Sequence, residues 1–399
     1  MQLLIFIFVL LFTGMTSAQT KFPMGEGMKK WGLLIKVPEN DISLRIGARF
    51  QSLATIRTDK EPAGDSATSQ DFFARRVRFQ FEALLPNNIL YNMDIRNDSA
   101  NQDDRGEDHF NIGDAYVQIP VSLSGNSKHT LRLFRAKVDV SRSETVSSAA
   151  LIFVNRAFVA DEAANFVNHN RRATNAQLIG NFYKKASYQL VIGDGVHSDD
   201  FSDARENTVE SIERQNFMVG GKLRFHPFAG WEDLKPSETY MGEGKHFSFG
   251  AGFFNTSNIN IEATDGGVTD TISRNLTNFE MSGHYKGWLL TGEYFIFDGV
   301  IEDHEAAKLN VGKSEGWYVQ GEKVFPDFHY IAPFARYEKW DRFITSGDYI
   351  TTDQLYGVNW YLNGNRFKVS LAYEVTENGD DSGLAKESEA YHFATAWHF

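Results

Sequence analysis

Along much of the chain, apolar and polar residues change places at every second position, the pattern of a β-strand whose two faces meet different surroundings. In "SLRIGARFQ" (43–51), Leu44, Ile46, Ala48 and Phe50 take one face and Arg45, Gly47, Arg49 and Gln51 the other. In "FFARRVRFQFEAL" (72–84), Phe73, Val77, Phe79 and Phe81 oppose Arg76, Arg78, Gln80 and Glu82. "ILYNMDIRN" (89–97) sets Ile89, Tyr91, Met93 and Ile95 against Asn92, Asp94 and Arg96. In "RFKVSLAYEV" (366–375), Phe367, Val369, Leu371, Tyr373 and Val375 oppose Lys368, Ser370, Ala372 and Glu374. "EAYHFATAWHF" (389–399) puts Tyr391, Phe393, Thr395, Trp397 and Phe399 on one face, with His392, Ala394, Ala396 and His398 behind them. Such segments number about sixteen, each of roughly ten residues, the length a tilted membrane-spanning strand needs.

The connections alternate in length. Tight ones lie at 86–88, 184–185, 286–287, 326–329 and 363–365. Long polar ones lie at 58–72, 97–110, 142–173, 194–215, 256–275, 298–314, 341–352 and 376–388. Short turns at one end and long loops at the other predict an all-β chain, a transmembrane antiparallel up-and-down barrel. One stretch breaks the rule: 226–245 is long where a short turn is due. Closure pairs the last strand with the first and turns its aromatic face to lipid, leaving no free edge. No linker divides residues 43–399, so they form a single barrel domain.

Composition fits this picture once alternation is allowed for. Aromatics reach 14%, with 33 Phe and 15 Tyr, and proline is scarce at 9. The mean hydropathy of −0.37 suits a water-soluble protein, but half of each strand would face an aqueous pore. With no cysteine, disulfides, thiolate metal ligands and a cysteine nucleophile are excluded. The apolar block Leu3–Phe12 and the small residues up to Ala18 read as a signal peptide, residues 1–18, leaving Gln19 first and 19–42 as a lead-in. A formal net charge of −12 argues against nucleic acid as a partner. The acid crowds into 98–108, 194–213, 298–305 and 376–389, all between alternating segments, and therefore into loops.

Catalysis finds little support: eleven histidines are scattered, with no H-E-x-x-H, G-x-S-x-G or P-loop pattern. His284 lies on a strand and reads as a polar lumen residue; an enzyme on the barrel wall, or an adhesin, is the alternative of another class. Asp103, Asp104, Glu107 and Asp108 offer hard oxygen ligands without EF-hand spacing, so no metal and no cofactor is expected. Acidic loops also suit lipopolysaccharide bridged through divalent cations. By strand parity Arg45, Arg49, Arg76, Arg78, Arg96, Arg135 and Lys137 point into the lumen, with Glu82, Asp94, Asp114 and Asp139 sharing that parity. Guanidinium groups there select anions, whereas basic and acidic residues on facing walls make a weakly selective general porin.

Several segments resemble the phosphate-selective porin O and P family of Gram-negative outer membranes. "DISLRIGARFQ" (41–51) is similar to its opening strand and "FFARRVRFQFEALL" (72–85) to its Arg-Arg-x-Arg second strand. "NIGDAYVQIP" (111–120) and "LRLFRAKVDVSRSETVSSAALIFVNRAFVADEAA" (131–164) resemble strands four and five and the long third loop. "PFARYEKWD" (333–341) and "YGVNWYLNGNRFKVSLAYE" (356–374) match its C-terminal region. Phe134 stands where the family often has Gly, and Val140 where it often has Pro. The resemblance implies a sixteen-stranded outer-membrane barrel, a homotrimer, whose third loop folds inward carrying Arg156, Arg171 and Arg172. It implies passage of small anions, phosphate or other oxyanions, along lumen arginines and lysines. By the same likeness, Phe399 is the signal read by the barrel-assembly machinery.

Overall fold

A computed structural model of the protein describes residues 32–399, apart from 61–63, 65, 101, 103–108, 125–126, 169–170, 184, 198–208, 228–236, 242–244, 264–268, 306–307, 345–348 and 380–385. Residues 1–18, expected to be a signal peptide, and the acidic group Asp103, Asp104, Glu107 and Asp108 lie outside the described residues.

The first strands are β1 (Leu33–Val37), β2 (Ile42–Lys60), β3 (Ser66–Leu85), β4 (Ile89–Ala100), β5 (Asn111–Ser124) and β6 (Ser127–Arg135). After a long segment come β7 (Thr174–Phe182), β8 (Ala186–Gly193), β9 (Val209–Arg214), β10 (Met218–Phe225), β11 (Lys245–Ala263) and β12 (Thr269–Tyr285). The chain continues through β13 (Trp288–Glu305), β14 (Lys308–Lys323), β15 (Ile331–Asp341), β16 (Ile350–Asn365), β17 (Phe367–Asn378) and β18 (Lys386–His398). All pairings are antiparallel, and sixteen of these eighteen strands close into a barrel. The seam runs from Glu387↔Lys60 to His398↔Arg49 between β18 and β2. It ends in a reciprocal pair: Ala48 N donates to the Phe399 carbonyl at 3.1 Å and Phe399 N to the Ala48 carbonyl at 2.9 Å.

The other two strands extend barrel edges. β1 pairs with β2 from Leu33↔Ile46 to Val37↔Ile42, where β18 no longer reaches. β9 pairs with the far end of β11 and β10 with its middle, so together they fill one barrel position broken at 215–217. Strands are longer than the ten or so residues that alternation marks: β3 has 20, β2 and β11 have 19. Much of the expected loops 58–72, 256–275 and 298–314 is therefore hydrogen-bonded ladder, as in Thr58↔Thr68 and Ile261↔Asp270. Above the bilayer both strand faces meet water, so the ladder persists after the apolar alternation fades.

Burial separates the two faces as parity requires. Phe50, Phe79, Leu290, Tyr356, Tyr391 and Trp397 are exposed on the outside, whereas Arg49, Glu293, Asn359, Lys368 and His392 are buried within. Trp397 stacks on Phe367 with centroids 3.8 Å apart, an aromatic pair at the end where membrane girdles form. One assignment is corrected. A bulge between Gln51 and Ser52 sets Gln51 opposite Arg76 and Ser52 opposite Ala74, leaving Arg75 as the extra residue. Beyond it the faces of β3 exchange. Phe73 is 6% exposed and packs inside, and it is Phe72, 70% exposed, that faces out.

Residues 136–173, between β6 and β7, hold two helices, α1 (Arg142–Thr145) and α2 (Phe158–Val167). The contacts of this segment are with inward-facing side chains from widely separated strands. Ile152, Phe153 and Val154 pack with Leu53, Phe73, Leu289, Phe334 and Leu355. Val159, Ala160, Ala163 and Val167 pack with Phe254, Leu276, Phe295, Phe297 and Tyr318. Two wall carboxylates cap its helices. Glu293 on β13 accepts from Arg142 N (3.1 Å) and Ser143 N (3.2 Å), and Glu338 on β15 accepts from Val159 N (3.3 Å). Otherwise orphaned N–H groups of both helices thus find carboxyl oxygens as acceptors.

Candidate functional site

The most basic part of the lumen is built by cross-strand register. Arg49 on β2 lies opposite Arg78 on β3, which lies opposite Arg96 on β4. Like charges directly across a ladder are destabilising, so this rung needs compensation. Asp98 supplies part of it, accepting from Arg78 Nε at 3.1 Å and standing 3.9 Å from Arg96. Among the described residues no carboxylate is hydrogen-bonded to Arg49; it donates to Ser148 Oγ (2.5 Å), Ser147 Oγ (3.0 Å) and Gln80 (3.3 Å). Arg78 and Arg156 are its like-charged neighbours, and Asp94 and Asp98 its opposite-charged ones. Arg76, one rung away, donates to Gln51 at 2.9 Å and to the Val154 carbonyl.

A second basic group surrounds Glu144 on α1, a residue with no exposed surface. Lys137 lies 2.8 Å from its carboxylate, Arg171 3.3 Å and Arg156 3.7 Å. Burial alone would push this carboxyl up; Arg171, Lys137 and Arg156 outweigh it and hold it well below the usual carboxylate range. Arg171 also reaches Asp161 at 2.8 Å, and Arg172 pairs with Asp114 at 2.7 Å. The structure thus gathers Arg49, Arg76, Arg78 and Arg96 in one group and Lys137, Arg156 and Arg171 in another. Arg45 stands apart near the short turns, 3.7 Å from Glu82. Arg135, the last residue of β6, is half-buried and joins neither group. It follows Phe134, whose φ of +97° is a conformation that glycine adopts easily, which accounts for the family's frequent Gly there.

Sequence reading missed several lumen cations. Arg75, exposed inward by the bulge, donates to Asn155 at 2.9 Å. Arg132 lies over the Tyr116 ring at 4.5 Å, and its place between Leu131 and Leu133 gave an alternation signal. Lys222 and Arg224 alternate in "VGGKLRF" and bind the buried carboxylates Asp139 and Glu280, Arg224 reaching Asp139 at 2.7 Å. Between these groups lies a cavity of about 60 Å³ bordered by Asp114, Arg132, Lys137, Asp139, Lys222 and Arg224. Carboxylates beyond those read from parity also line the lumen. Glu280, Glu293, Glu322, Glu338 and Asp353 are buried on β12 to β16, where Arg336 lies 2.6 Å from Glu338 and 3.8 Å from Asp353. Among the described residues no group of acidic or histidine side chains is arranged to hold a metal ion.

Residues 44–215 match the family described as phosphate-selective porin O and P. No curated protein matches the sequence. Solved structures similar to the fold include an anion-selective porin from Comamonas acidovorans, with a TM-score of 0.58, 12% identity, and 90% of this chain and 100% of that one covered. The outer membrane channel DcaP of Acinetobacter baumannii gives 0.60 at 10% identity, covering 93% and 100%. Salmonella typhi OmpF gives 0.59 at 12% identity, covering 92% and 100%. At such identities the likeness is one of fold. Residues 44–215 thus carry the match to the phosphate-selective porin O and P family, and the barrel as a whole has the fold of solved porins.

Proposed function

We propose that this porin is a diffusion channel favouring small anions, phosphate and other oxyanions among them. The observation that carries the reading is the Arg49–Arg78–Arg96 rung, three guanidinium groups across three strands, with Asp98 bonded to Arg78 and 3.9 Å from Arg96. A passing oxyanion adds to the compensation that Asp98 supplies, through bidentate hydrogen bonds. The 136–173 segment narrows the channel beside it. Facing carboxylates favour a second reading, the weakly selective general porin. Yet Glu293 and Glu338 accept hydrogen bonds from the 136–173 segment, which reduces what they offer to a passing cation. The match to an anion-selective porin fold is compatible with either reading.

The protein acts in transport rather than catalysis. Residues 1–18 serve export, residues 43–399 form the barrel, and the working unit is a homotrimer in lipid and lipopolysaccharide, assembled with Phe399 as a recognition residue. The deciding measurement is the zero-current potential of purified protein in a planar bilayer across a salt gradient. An anion-side potential is expected, and a cation-side potential makes the general porin the better reading.

A further inference from the structure

The connection between β10 and β11 is long where its counterparts are short, and its described residues 237–241 are enclosed rather than set in solvent. Glu238, Thr239 and Met241 are buried, and the Tyr240 ring lies parallel to lumen-facing His284 with centroids 3.6 Å apart. Glu238 grips the 136–173 segment at three points. Its Oε1 accepts from Ser143 Oγ at 2.8 Å, its Oε2 from Ile152 N at 3.0 Å, and its own N donates to the Ala150 carbonyl at 3.1 Å. Tyr240 Oη accepts from Arg142 at 3.1 Å. From the far side, Lys368 Nζ donates to the carbonyls of Leu151 (2.7 Å) and Ile152 (2.9 Å). The apolar stretch 149–154 is thus held between a wall lysine and a carboxylate that rises from the opposite mouth of the barrel. A surface turn leaves its carboxylate in water; burial of one is costly unless it is fully hydrogen-bonded, as this one is.

Resting on the porin reading above, we propose that residues 237–241 are a second narrowing element entering from the short-turn mouth, and that Glu238 is a positioning residue fixing the bore by pinning the 136–173 segment. Ions do not need to touch Glu238; it acts through the segment it holds. Removing its carboxylate frees Ser143 Oγ and Ile152 N, and the 149–154 stretch then fluctuates in the pore.

The test is single-channel recording of full-length Glu238→Ala, Glu238→Gln and Ser143→Ala beside the wild type, each checked for barrel folding by heat-modifiable migration. Glu238→Ala is expected to raise conductance roughly 1.5-fold or more and to add open-channel noise, since conductance follows the narrowest cross-section. Glu238→Gln, which keeps one acceptor oxygen, is expected to recover most of the wild-type behaviour, a rescue that loss of fold does not give. A folded Glu238→Ala channel with wild-type conductance and noise overturns the proposal. Should Glu238→Ala fail to fold, Ser143→Ala removes a single hydrogen bond, and wild-type noise in it overturns the proposal equally. Cation preference in the wild type removes the anion reading while leaving the pinning intact, so the two failures are distinguishable.

Discussion

Glu144 is enclosed on every side, and three cations converge on it: Lys137, Arg171 and Arg156. Its carboxyl lies below the ordinary range in the folded protein, despite burial, because of those cations. A depressed folded value means that the stabilisation is present above the unfolded pKa and is lost only as pH falls through the folded one. Glu144 therefore stays ionised through mildly acid conditions. Replacing Glu144 by Gln removes the carboxylate that Lys137 and Arg156 share, Arg171 keeping Asp161, and breaking a buried pair in this way costs about 3–5 kcal/mol. Glu144→Gln should lower the temperature at which the heat-modifiable form is lost and move the zero-current potential further to the anion side. An unchanged potential would place the cluster away from the ion path. Parity alone put Arg49, Arg76 and Arg78 inside, where the structure has them buried. It misplaced Phe73 and hid Arg75, because one extra residue opposite Gln51 and Ser52 exchanges the faces and leaves no trace in composition.

The elements were legible to different depths. Closure of β18 on β2 follows from alternation continued through Trp397, and the structure pairs them from Lys60 to Arg49, with Phe399 against Ala48. Deleting Phe399 removes two seam hydrogen bonds next to the exposed Trp397. The yield of folded barrel should fall while the conductance of each channel that does form stays the same; normal yield would show the seam indifferent to that residue. Strand lengths were less legible, since polar ladders beyond the bilayer lack the contrast that marks a strand. The role of 226–245 was not legible at all. Nothing in its sequence distinguishes a loose turn from one whose Glu238 finds partners in residues 143 and 152. The 136–173 segment gave a better signal, because its runs "AALIFV" and "AFVADEAANFV" need apolar cover, and Leu53, Phe73, Phe295 and Phe297 provide it. Deleting 148–165 should raise single-channel conductance, and an unchanged conductance would mean that the segment does not limit flow.

For the whole molecule the question is which charge an ion feels. The formal total is −12, yet charges beyond a Debye length of about 8 Å are largely screened at physiological salt. In a narrow lumen, nearby groups count for more than that total. Arg76 and Arg78 are neighbouring inward positions of β3, and their tasks differ: Arg78 binds Asp98, whereas Arg76 holds Gln51 and the Val154 carbonyl. Replacing both by Gln removes two positive charges and leaves Asp98 with Arg96, 3.9 Å away, as its remaining ion-pair contact among the described residues. The pore should then shift its zero-current potential towards cations, and phosphate should block its chloride current less. Because Gln keeps an amide donor for the Val154 carbonyl, conductance should change less than selectivity. A double variant that keeps the wild-type potential would mean that ions pass along the carboxylate wall of β12 to β16, and the arginines of β3 would then serve the 136–173 segment rather than the solute.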